Sequence, residues 1–281
     1  MEDLRHHPLD IVTACRAADL PILRLTVAAL RRHVPVRQVL VITARGNFEK
    51  FGRVLGSEVE LIDEDTFIPG MTISELRALP LAGFPLGAGW YFQQLLKFNY
   101  CFSRPEDDYY LIWDADTIPL QDLQFFDERG RMLFTIGEEE HVPYFETYRN
   151  LLGEDPHREF SFITQHIVVQ KSLLREMLAR IDSRLPGSES WAWKIMRNLK
   201  GEGTNLFSEY EMFGHYAKNH APDRAAYRHL PWLRDGSRVT NGTPSGRELE
   251  RLGKDHAFAA FESSQMPMRR FVRWLRSVLG R

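Results

Sequence analysis

The chain has 281 residues, 43% hydrophobic and 26% charged, with a net charge of −2. That balance can bury a full core, which excludes a disordered chain, and its acidic body excludes wholesale nucleic-acid binding. Two cysteines, Cys15 and Cys101, read as reduced thiols; the polar stretch Met1 to Asp10 lacks a signal-peptide pattern, and no apolar run reaches the roughly 20 residues of a membrane span, so a cytosolic body is expected.

In chain order, Asp10-Ile-Val-Thr-Ala-Cys15 predicts a buried strand, and the apolar spacing from Leu20 to His33 a helix. Val39 to Thr43 is a second strand, Arg45-Gly46-Asn47 a turn, Phe48 to Val54 a short helix and Val59 to Ile62 a third strand. Pro69 to Gly89 reads as a long loop with a short helix near Ile73 to Leu79. Trp90 to Phe102 is a strong helix, and Tyr109 to Trp113 a fourth strand. Later signals predict strands at Met132–Ile136 and Ile163–Gln170, and helices at Leu173–Ile181, Ser190–Arg197 and Tyr210–Asn219. Strands alternating with helices predict an α/β fold with a Rossmann-like, mostly parallel sheet. The expected division is one domain over residues 1–265, nucleotide-binding to about residue 120 and acceptor-facing beyond, followed by a tail.

The fourth strand ends in Asp114-Ala115-Asp116. Residues two apart in extended chain face the same way, so both carboxylates can converge on one hard cation such as Mn²⁺ or Mg²⁺. The carboxyl end of a central parallel strand is also where α/β sheets bind nucleotides. About one such triplet is expected by chance in a chain this long, and Asp63-Glu64-Asp65 is a competitor. The Asp114 triplet has the longer apolar strand before it, an apolar segment on both sides and a helix bearing Lys97 just upstream, whereas the Asp63 triplet reads as a solvated strand-to-loop junction. A phosphatase of the haloacid-dehalogenase type also uses an apolar strand followed by Asp-x-Asp. Its continuation fails here by one position at Thr117-Ile118, and its motif normally opens the fold.

With these residues in view, the chain resembles the GT-A glycosyltransferases, and most of all a bacterial family of uncharacterised proteins related to glycogenin and lipopolysaccharide sugar transferases. The blocks that carry the resemblance are Gly89-Trp-Tyr-Phe-Gln-Gln-Leu-Leu-Lys97, Trp113-Asp-Ala-Asp-Thr117, Ser161-Phe-Ile-Thr-Gln-His166 and Phe207-Ser-Glu-Tyr-Glu211, within a likeness running from Asp10 to about Ser264. The resemblance implies a metal-dependent transferase that takes a nucleotide-sugar donor and a saccharide or lipid-linked acceptor. Asp116 would bind the metal, and Asp114 the metal, the donor ribose or both. Lys97 and Gln94 would lie near the donor, and Thr13-Ala14 at the first strand end would cradle the nucleotide. The polar patch Thr164-Gln165-His166 is expected to face the donor sugar or acceptor, with His166 otherwise a satisfied half-buried histidine. An inverting transferase needs a carboxylate base. Glu211 could close a capping box with Ser208, leaving Glu209 the freer carboxylate. The late third metal ligand is left between Glu262 and His256. A saccharide-binding protein on the same fold, without turnover, is the non-enzymatic alternative.

From Met268 to Arg281 there are five arginines and no acidic residue, with Phe271, Trp274, Leu275, Val278 and Leu279 on one helical face. That composition suits either a helix on the cytosolic face of an anionic membrane or one packed on the domain.

Overall fold

The computed structural model describes residues 4–79, 87–203, 205–240 and 242–262; the basic tail and part of the long loop before Gly89 lie outside them. The first apolar runs become β1 (Leu9–Ala14), β2 (Val36–Thr43) and β3 (Glu60–Asp63), joined by helices α1 (Leu20–His33) and α2 (Phe48–Leu55). Two short helices, α3 (Glu64–Phe67) and α4 (Ile73–Arg77), lead to α5 (Ala88–Asn99) and then β4 (Tyr109–Trp113). The second half contains β5 (Thr117–Pro119), β6 (Met132–Thr135), α6 (Val142–Leu152), β7 (His166–Gln170), α7 (Lys171–Arg184), α8 (Trp191–Arg197) and α9 (Glu209–His220). It closes with β8 (Ala225–Arg228), β9 (Trp232–Leu233), α10 (Gly236–Val239), α11 (Gly246–Leu252) and β10 (Phe258–Ala260).

The central sheet has the order β3-β2-β1-β4-β7, its first four strands parallel and β7 antiparallel to β4. β1, β4 and β7 are almost wholly buried, as unbroken apolar runs require when helices cover both faces of a sheet. α1 buries Leu20, Leu23, Val27 and Leu30, a helical stripe, and carries a proline in its first turn, where no backbone donor is lost. Two small sheets complete the second half: β5-β10-β9 and the parallel pair β6-β8.

Differences from the sequence reading have local causes. The strand expected from Ile163 starts only at His166, because Gln165 adopts a left-handed φ of 66° that no strand accommodates. α5 stops at Asn99 and tightens into a 3-10 turn over Tyr100–Phe102. β5, β9 and β10 are only two or three residues long, too short to show a period. Asp63 proves to be a helix cap, its carboxylate accepting from the Asp65 N–H at the start of α3, as suits a strand-to-loop junction.

Candidate active site

Asp114, Ala115 and Asp116 leave the carboxyl end of β4 as a turn held by hydrogen bonds from several elements. The Asp114 N–H donates to the Gln165 carbonyl at 3.0 Å, and Thr117 N–H closes the turn on the Asp114 carbonyl at 3.1 Å. Thr26 Oγ1 donates to the Ala115 carbonyl at 3.0 Å, Phe261 N–H to the Asp116 carbonyl at 2.8 Å, and Trp113 Nε1 to the Thr117 carbonyl at 2.6 Å. Five bonds from α1, β4, β10 and the segment before β7 thus hold the turn, so its carboxylates are presented with little freedom to wander.

Asp114 is fastened further by its side chain. Lys97, only 1% exposed, donates from Nζ to Asp114 Oδ1 at 2.8 Å and pairs with Glu209 Oε1 at the start of α9. Burial alone would lower the Lys97 ammonium, but Asp114 and Glu209 outweigh it and hold it above the usual lysine value. Burial pushes the Glu209 carboxyl up against the pull of Lys97. Tyr210 completes the group: its ring lies 5.2 Å from Lys97 Nζ, and its phenol is pushed well above its usual value by burial, then by Asp114 and Glu209. α9 delivers these residues because Ser208 caps it and because Gly214 admits the Phe162 ring, which a β-carbon there would meet at 2.2 Å.

Asp116 has a different environment. Its carboxyl is pushed up to about 7, first by burial and then by the negative charges of Asp114, Glu262 and Asp19. Glu262 arrives there through β-pairing: β10 runs antiparallel to β5 with Ala260 opposite Thr117, which brings the next residues alongside Asp116.

The other expected site residues lie in several different surroundings. His256 sits at the opposite end of β10, its backbone and ring bonded to the Leu252 carbonyl, so the structure groups Glu262 and not His256 with the aspartates. His166 is a core residue: pairing opposite Trp113 stacks the two rings at 4.7 Å, Thr135 Oγ1 lies 3.1 Å from its Nε2, and burial, then Arg228, pushes it down to about 3. Gln94 spends its amide on the Trp90 carbonyl and the Glu209 N–H, joining α5 to α9. Lys97 is a buried ion-pair centre between Asp114 and Glu209. Thr13 is sealed at 1% exposure, leaving half-buried Ala14 as the rim of β1. Glu211 closes no capping box; its carboxylate accepts from Ser161 Oγ at 2.5 Å and Phe162 N–H at 3.2 Å and pairs with His215 at 2.6 Å. Glu209, read as the freer carboxylate, is held by Lys97. Asp19 and Tyr210 were absent from the expected site; Tyr210 stood inside a motif block without a chemical reason to single it out.

The family model described as "Family of unknown function (DUF6492)" matches residues 8–234. The chain belongs to the DUF6492 family. No curated protein sequence matches it. Among solved structures, this DUF6492 protein is similar to galactosyltransferase LgtC in complex with donor and acceptor sugar analogues, at 12% identity over 96% of each chain and a TM-score of 0.45. It is also similar to the apo form of mouse xyloside xylosyltransferase 1, at 12% identity over 93% of this chain and 99% of that one, TM-score 0.47. A third is the apo bifunctional glycosyltransferase WbbM, at 11% identity over 91% of this chain and 46% of that one, TM-score 0.48. Among the described residues, no helix is long and apolar enough to cross a membrane.

Proposed function

We propose that this DUF6492 protein is a metal-dependent glycosyltransferase that moves a sugar from a nucleotide-sugar donor to a saccharide or lipid-linked acceptor. The observation that supports the reading is the placing of Asp114 and Asp116 on one hydrogen-bonded turn at the carboxyl end of β4, with Glu262 close enough for its charge to help raise the Asp116 carboxyl. Their oxygens suit a hard divalent cation. Among the described residues, no three His, Cys, Asp or Glu side chains form a ready-made metal cage. A cation such as Mg²⁺ is commonly held by one or two carboxylates and completed by substrate phosphates, which is the arrangement this reading requires. When bound, the ion would offset charge on a departing diphosphate.

The protein's own groups have separable parts in this reading. Asp116 is the principal ligand, with Glu262 beside it. Asp114 is oriented by Lys97 toward the metal or the donor ribose, and Ala14 borders the nucleotide. A cavity of about 430 Å³, walled by Gly137, Glu138, Glu140, Phe145, Phe160 and Ser161, opens in the second half and serves as the acceptor side.

The test is a thermal-shift panel of UDP-, GDP-, CMP- and dTDP-sugars with and without Mn²⁺, on wild type and Asp116→Ala. A metal-dependent rise for one nucleotide, absent in the variant, is expected. No shift with any nucleotide, together with Asp114-dependent turnover of a phosphomonoester, would replace this reading with a phosphatase.

A further inference from the structure

β6 and β8 pair in parallel, with Phe134 opposite Tyr227 and Thr135 opposite Arg228. Side chains alternate along a strand, so these two pairs occupy opposite faces of the ribbon. On one face the Phe134 and Tyr227 rings stack, 24° apart. On the other, Thr135 Oγ1 lies 3.1 Å from His166 Nε2, and the Arg228 guanidinium carbon sits 5.9 Å from the centre of the Phe125 ring. Phe125 in turn meets the His166 ring edge-on at 5.7 Å, so Arg228 is turned toward the aromatic core beside β7. Its Nε and Nη2 are sealed from solvent and meet no hydrogen-bond acceptor, while the residue as a whole is half-buried. Among the described residues no carboxylate acts on it, and burial pushes it down to about 10. Other cations that reach the interior are provided for. Lys97 has Asp114 and Glu209, Arg37 has Asp10 and Asp107, Lys194 has Asp182, and Lys171 has the carbonyls of Ser103 and Arg104. A guanidinium withdrawn from water without an acceptor weakens a fold, and such a group points to a ligand that supplies the acceptors.

We propose that Arg228 anchors an oxyanion site separate from the aspartate turn, taking a carboxylate or a phosphate carried by the saccharide acceptor. That the anion sits on the acceptor rests on the transferase reading above; the oxyanion site itself does not. The Nε–Nη2 edge of a guanidinium presents two parallel N–H groups, which match the oxygens of a carboxylate or a phosphate. The site is separate because the charges that set the Asp116 carboxyl are Asp114, Glu262 and Asp19, with no part for Arg228, and neither aspartate acts on Arg228. The next residue, His229, lies on the wall of the cavity of about 430 Å³ assigned above to the acceptor.

The experiment is calorimetric titration of the full chain, without metal or nucleotide, by inorganic phosphate, glucuronate and glucose 1-phosphate. Glucose is the neutral control, and chloride matches the ionic strength. Wild type, Arg228→Met and Arg228→Lys are compared, and each is also melted without ligand. Wild type should bind glucuronate or glucose 1-phosphate and not glucose, the preferred one telling carboxylate from phosphate. Arg228→Met should weaken that binding about tenfold or more, the scale of a lost charge-assisted pair. It should also melt no lower than wild type, because an apolar side chain replaces an unpaired inward cation. Arg228→Lys keeps the charge without the fork and should weaken binding by less. Equal binding by wild type and Arg228→Met, or no binding of any of the three anions by wild type, overturns the site. So does an Arg228→Met that melts clearly below wild type, which would make the side chain a structural plug. Binding of inorganic phosphate alone keeps the site and overturns its assignment to a saccharide. A chain that binds these anions through Arg228 but responds to no nucleotide sugar keeps the site and loses the transferase reading.

Discussion

The two ends of the central sheet both bury carboxylates, and they treat them in opposite ways. At the amino end, Asp10 is fully buried and accepts from Arg37 Nε at 2.8 Å, Arg37 Nη2 at 2.7 Å and the Tyr100 hydroxyl. Arg37 Nη1 reaches on to Asp107 at 2.5 Å, and Asp107 also takes the Tyr109 N–H at 2.9 Å and lies 3.2 Å from His7 Nε2. Burial would lift the Asp10 carboxyl, but Arg37 and Tyr100 outweigh it and hold it below its usual range. At the carboxyl end, Lys97 serves Asp114 and Glu209, while Asp116 is left among Asp114, Glu262 and Asp19. Matched charge fastens strands together; the burial and negative neighbours that raise Asp116 are an arrangement a bound cation would relieve, although Asp19 is itself paired with Arg16 at 2.8 Å and Asp114 with Lys97.

The sharpest way to break this contrast is Lys97→Met, which strands two carboxylates at the carboxyl end. It should cost about 3–5 kcal/mol in urea unfolding, the usual penalty for removing one member of a buried pair. Asp10→Asn probes the other end and should cost about 2–3 kcal/mol by losing charge-assisted bonds, with nucleotide-sugar binding unchanged. Since the folded Asp10 pKa is depressed, its contribution is present above the unfolded value near 3.9 and is lost as pH falls through the folded one; the variant's deficit should therefore shrink in acid. Gly214→Ala tests the packing that brings α9 to the site, and crowding Phe162 should cost about 1–2 kcal/mol with a fall in melting temperature. Asp116→Asn should act in the opposite direction. The raised pKa means that ionising Asp116 opposes folding increasingly from about pH 4 to its folded value of about 7, with no further change above it. The variant should accordingly gain on the order of 1 kcal/mol at pH 8, after discounting for solvent screening, and nothing near pH 4. A melting-temperature series against pH decides it, and a loss of stability at pH 8 would count against a raised Asp116 carboxyl.

Much of the first half was legible in the chain. Helix α1 spans the predicted residues, and the strand ending in Asp114-Ala115-Asp116 lies where an unbroken apolar run placed it. These features rest on periodicity and on neighbours close in sequence, which a linear chain displays directly. The roles of the candidate residues were less legible. His166 and Gln165 are adjacent, yet one is a stacked core ring paired with β4 and the other a left-handed residue that ends the strand, a division no local pattern announces.

What the sequence by itself determined is the alternation of strands and helices and the acidic pair at a strand's carboxyl end, because both are short-range patterns. Only the tertiary structure decided that Glu262 and not His256 stands beside Asp116, that Lys97 is locked between Asp114 and Glu209, and that Gln94 is a brace between helices. Those outcomes depend on a three-residue strand pairing across more than a hundred positions and on which charges are buried together, and neither leaves a period in the chain.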